Sequence, residues 1–158
     1  MNSRIIVQLL FFAVSFYCFG AAMMDSIVVY HGWRFVGPNE FALVHEETGK
    51  RIVQVLVYET LLMTILTVMM FWKKPNYIPK KWIAAAFGFE LISWISSVFI
   101  QIPIQLSMKD KNVTELERLI STDWIRTIAS IIYILIVSRI LYEILKRNNF
   151  KERLQQLS

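Results

Sequence analysis

A single cysteine, Cys18, stands among the 158 residues, which excludes an intrachain disulfide, a CxxC redox pair and a cysteine zinc cage. Its place inside an apolar block reads as a small buried apolar residue. No polar stretch exceeds about 20 residues, too short to bury a core of its own, so a large soluble enzyme domain is excluded. GxGxxG, P-loop, HExxH and nucleophile-elbow patterns are all missing, as are internal repeats and low-complexity tracts. The net charge of +5 does not indicate nucleic acid. Lysines and arginines gather at the ends of apolar blocks, with no basic stripe interleaved with exposed aromatics, and read as anchors to a lipid bilayer.

What the sequence does have is hydrocarbon. Its hydrophobic share is 56%, above the 45–50% or so of soluble domains, and its mean hydropathy is +0.47. The apolar residues fall in four blocks, from about Ile5 to Tyr30, Ile52 to Trp72, Trp82 to Ser107 and Ser121 to Tyr142. Each is long enough to cross ~30 Å of hydrocarbon at about 1.5 Å per residue. Trp72 and Trp82 flank the second connection, with Tyr30 and Trp33 at the first, where amphipathic rings suit the headgroup level. The expected fold is all-α, an integral membrane four-helix bundle in one domain over residues 1–158. Small residues at Gly20, Ala21 and Ala22 fit a cleaved signal peptide, but the block stays apolar beyond them and only Arg4 precedes it; it reads as an uncleaved span.

Four spans put both termini on one side. That side holds Arg4, Lys73, Lys74, Lys80, Lys81, Lys146, Arg147, Lys151 and Arg153, against Arg34, Lys50, Arg51, Lys109, Lys111 and Arg118 on the other. The excess predicts cytoplasmic termini and a multi-pass protein of the cell membrane. In the first connection, Gly37-Pro38-Asn39 breaks the chain, and Asn39 is a candidate N-cap for a short outer helix over 40–48 ending at Gly49. The other reading makes this helix the extended start of the second span. The tail over 143–158 reads as a basic helical continuation resting on anionic lipid. Asn112-Val113-Thr114 is a glycosylation sequon, meaningful only in a secretory lumen.

Ionisable groups inside a span usually face the bundle interior or a wet cavity. Glu90, Trp94, Ser97, Gln101 and Gln105 fall within about 80° of arc on the third helix, a polar stripe read as cavity lining with interhelical hydrogen bonding as the alternative. Glu59 sits too deep in the second span to snorkel and needs a partner, a proton or water. Arg126, Ser130 and Tyr133 share one face of the fourth helix, which turns Arg126 inward; snorkelling to the outer headgroups is the alternative. Arg139, on another face, reads as snorkelling at the opposite end, with pairing to Glu90 as the other option. His31 and His45, with carboxylates near, have the ligand types for zinc, iron or copper, but their spacing follows no recognised pattern and no metal is assigned.

Gln101-Ile102-Pro103-Ile104-Gln105-Leu106, followed by Leu119-Ile120-Ser121-Thr122-Asp123-Trp124-Ile125-Arg126-Thr127, resembles the anthrone oxygenase-like family of small four-helix membrane proteins. In that family a polar-x-Pro-x-polar motif closes the third span and a tryptophan-containing run ending in Arg-Thr opens the fourth. Both asparagine positions of the family are glutamine here, and the Asn-His pair often seen before the arginine is replaced near Trp124 and Ile125. The resemblance implies motif roles for Gln101, Pro103, Gln105, Trp124, Arg126 and Thr127. It also implies oxidation of anthrones to quinones, with no classical cofactor named.

Together these residues predict an outward-facing pocket for a lipophilic, aromatic or quinone-like molecule. Asp25, Trp94, Gln101, Gln105, Asp123, Trp124 and Arg126 are its expected binding groups, with Trp33 as a further apolar wall. Glu59, His31 and His45 are the candidates for proton transfer. The alternative from another class is a non-catalytic accessory subunit whose polar stripe meets a partner helix or a second copy. A small transporter is disfavoured, because four spans without repeats need oligomerisation to form a path.

Overall fold

The computed structural model describes residues 3–108 and 110–156, with side chains placed up to Arg147. Four helices run antiparallel: α1 (Ser3–Phe35), α2 (Pro38–Lys73), α3 (Lys80–Ser107) and α4 (Val113–Gln156). All four are long and apolar enough to cross a membrane. The outward faces carry exposed Ile65, Phe99, Ile128 and Leu135, a lipid-compatible surface that a soluble bundle would turn inward.

The breaks are short and chemically marked. Gly37, in extended conformation, caps α2, and Pro38 occupies its first turn, where its fixed φ suits a helix start. Asn39 is therefore inside the helix and not its cap. Nothing after Pro38 stops the helix, so 38–52 is the extended start of the second span, not a separate outer helix ending at Gly49. Lys50 bridges back past that glycine to Glu46 and Glu47, at 2.9 and 3.0 Å. Asn112 caps α4, its Oδ1 accepting from the Thr114 and Glu115 amides at 3.0 and 3.2 Å. The fourth helix thus begins at Val113, eight residues ahead of the apolar block that announces it. The tail continues it as helix to Gln156; its side chains beyond Arg147, and Lys109 of the outer charge count, lie outside the described residues.

Three helices carry a π-helical turn, at Asp25–Val29, Val53–Val57 and Ser97–Gln101. The third has a local cause. Pro103 has no amide hydrogen for the regular i−4 bond, so the ladder widens just before it.

Two apolar clusters hold the bundle. The one nearer the α2–α3 turn, named inner for its place in the bundle, joins Phe11 and Phe12 of α1, Leu66 and Met70 of α2, Ile83 and Ala86 of α3, and Val137 and Ile140 of α4. The outer one joins Tyr30, Trp33, Phe41, Ile104, Met108, Leu116 and Leu119. Tyr30 and Trp33 are 1% and 3% exposed, so they are core and not headgroup rings. Their depth follows from α1 continuing to Phe35, beyond the end of its apolar block. Gln8 Nε2 donates to the Lys73 carbonyl at 2.7 Å and ties the inner ends of α1 and α2 together. Further out, the Pro38–Ile52 part of α2 joins the other helices through Phe41, and a cavity opens between the clusters.

Candidate functional site

The cavity has a volume of about 640 Å³, within the range of roughly 300–1,000 Å³ usual for small-molecule sites. Leu56 and Met63 of α2, Ile102 and Leu106 of α3 and Phe19 of α1 supply apolar wall. Into it project Glu90, Trp94, Ser97, Gln101 and Gln105, the whole predicted stripe of α3, together with Tyr30, His45, Glu46 and Arg126. The π turn at Ser97–Gln101 falls within the stripe, and all five members still line the cavity.

Behind the wall lies a charged cluster. Arg126 Nη2 is 2.9 Å from Asp25 Oδ2 and 2.8 Å from Asp123 Oδ1, with all three side chains buried. Ser26 donates to Asp123 Oδ2, and Thr127 donates to the same oxygen at 3.3 Å. Asp25 and Ser26 are the buried residues of the π turn at Asp25–Val29, and both bond to α4. Arg126 does not snorkel. It stands thirteen residues, or about 20 Å, inside α4, held by two acids and lying 5.6 Å from the Tyr30 ring centre. Counted as ions, one cation and two carboxylates leave a charge of −1, a costly state in hydrocarbon unless proton or ligand balances it. Among the described residues, Arg126 Nε has no hydrogen-bond partner in the protein.

The glutamines are positioned from within. Gln101 Oε1 accepts from Ser96 Oγ at 3.1 Å while its Nε2 donates to the Thr122 carbonyl at 3.3 Å. Gln105 Nε2 donates to the Tyr30 hydroxyl at 2.6 Å, and that hydroxyl also faces the Asp25 carboxylate. Each amide keeps a second N–H. Deeper, Trp94 Nε1 donates to Thr64 Oγ1 at 3.0 Å and Thr64 donates to Glu90 Oε1. Glu90 is 2% exposed, and its Oε2 has no protein partner among the described residues.

Not every expected residue arrives. Glu59 is half-buried and absent from the cavity wall. The wall-forming stripe of α2 passes through Leu56, Thr60 and Met63, about a quarter-turn away. Trp124 is 62% exposed and faces outward, because Asp123, Arg126, Thr127 and Ser130 take the inward side of α4. Trp33 belongs to the outer cluster and not to the cavity. His31 Nδ1 lies 3.1 Å from the Ser26 carbonyl, off the wall, while His45 stacks on Phe41 at the mouth with ring centres 5.5 Å apart. Among the described residues no three His, Cys, Asp or Glu side chains converge as metal ligands do. Arg139 turns to Glu143 at 2.5 Å and not to Glu90. Tyr30, Ser26 and Thr64 are the participants sequence reasoning missed as site residues; hydroxyls inside spans pass for ordinary packing.

Comparison of the chain with known protein families, curated proteins and solved structures finds no match. The site speaks through its chemistry alone.

Proposed function

We propose that this chain is a multi-pass protein of the cell membrane that holds a lipophilic small molecule, aromatic or quinone-like, between its helices. The start of α1 and the end of α4 face the cytoplasm in this reading, so the cavity lies toward the outer leaflet. The observation that carries it is the convergence of Gln101, Gln105 and Arg126 on one largely apolar hollow of drug-like size. Amide N–H groups meet ligand oxygens, Trp94 lies along the ring system, and His45 exchanges protons with the outside.

The resemblance to anthrone oxygenase-like proteins makes oxidation the reaction to test. An anthrone methylene becoming a carbonyl takes up one O₂ and releases one water. Protein purified gently from its membrane is analysed by mass spectrometry and absorption spectroscopy, then supplied with anthrone while oxygen uptake is followed. A discrete co-purifying aromatic or quinone supports the binding reading, and oxygen uptake above an empty-micelle control supports the oxidation. Preparations from several hosts that carry nothing and retain no added anthrone contradict both.

A further inference from the structure

A second groove, of about 1030 Å³, opens at the other end of the bundle, between the α2–α3 turn and the inner part of α4. Its walls include Tyr77, Trp82, Arg139, Tyr142, Lys146 and Arg147. The turn is braced by Pro75 and Pro79, by the Ile78 amide donating to the Pro75 carbonyl at 3.0 Å, and by Ile78 itself, 2% exposed. Tyr77 is thereby fixed facing α4, and the Arg147 guanidinium lies over its ring at 4.4 Å from the centre. Arg139 stands 5.3 Å from the Tyr142 ring and 6.0 Å from the Trp82 ring.

The charges do not cancel. Glu143 answers Arg139, whereas Lys146 and Arg147 form no ion pair among the described residues. A guanidinium held over a ring keeps N–H groups free to meet phosphate oxygens. The groove also lies where the apolar run of α4 ends near Tyr142 and that of α3 starts at Trp82, the level of lipid headgroups. We infer that this groove is a binding site for an anionic phospholipid, its phosphate held by Arg147 and Lys146 against the aromatic wall. Basic pockets between spans at the membrane surface bind such headgroups. The site is distinct from the ligand cavity and does not depend on it.

The test uses the full chain in mild detergent, with phosphatidylglycerol or phosphatidylcholine of matched acyl chains added and retained lipid read by native mass spectrometry. Wild type retains phosphatidylglycerol preferentially by about 30-fold, since two basic groups each contribute roughly fivefold near anionic lipid. Lys146→Gln with Arg147→Gln removes the preference, with the melting temperature reporting that the fold persists. Arg147→Lys, which keeps the charge but not the forked guanidinium donors, gives an intermediate preference. Lys151→Gln with Arg153→Gln leaves it in place. Equal retention of the two lipids by wild type, or a preference that follows the tail pair and not the groove pair, overturns the proposal.

Discussion

Arg126 Nη2 lies 2.9 Å from Asp25 Oδ2, a buried ion pair between α1 and α4 that joins residues 101 positions apart. Asp123 completes the arrangement from one turn before Arg126. The two acids and one base are unequal partners, and that inequality can be measured.

Removing the cation leaves two buried carboxylates facing each other. Arg126→Gln is expected to destabilise the folded protein by about 3–5 kcal/mol, the usual effect of breaking a buried pair from one side. Asp25→Asn leaves the Arg126–Asp123 pair neutral, and is expected to cost no more than about 1 kcal/mol. Unfolding of the two variants in the same detergent, followed by circular dichroism, checks the order. Equal losses contradict the imbalance.

The inner end of the cavity offers a second test. Trp94, Thr64 and Glu90 form one hydrogen-bonded chain across α2 and α3. Thr64→Val strands the Trp94 N–H and one Glu90 oxygen, an expected loss of about 1–3 kcal/mol. Combined with Glu90→Gln, the double variant is expected to deviate from additivity by at least about 0.5 kcal/mol. Strict additivity shows that the chain of hydrogen bonds does not operate.

Much of this architecture is legible in the sequence, for a physical reason. Four blocks of hydrocarbon demand four spans, and polar groups spaced along α3 from Glu90 to Gln105 must share a face and find shelter. Helix ends are less legible, because charged segments such as 38–52 and 113–120 are as compatible with helix as with loop. Glu59 and Trp124 show the other limit. Each lies on the correct helix at a suitable depth, yet a rotation of about a quarter-turn for Glu59, and nearly half a turn for Trp124, takes it out of the cavity. That rotation is set by packing and by π turns, of which only the one beside Pro103 has a visible residue cause. The ring of Tyr30 announces a membrane surface in the sequence, and burial in the outer cluster makes it a hydrogen-bonding partner for Gln105 instead.

Pro103 provides the third test. Pro103→Ala restores an amide donor and favours a regular helix through 97–101. The variant is expected to be as stable as wild type or more so. Gln101 and Gln105 then change their relative rotation, and retention of the bound molecule falls several-fold. Unchanged retention together with higher stability means that the π turn has no part in presenting the two amides.

The most direct measurement fills the hollow. Ser97 lies on the cavity wall, half-buried, with open space before it. Ser97→Phe adds a ring on that wall, and wild type and variant are compared by native mass spectrometry for a bound small molecule, with melting temperature as the control. The expected result is a discrete molecule on wild type, its loss from Ser97→Phe, and closely matching melting temperatures. A molecule held equally by both proteins, or by neither, contradicts a ligand site between these helices.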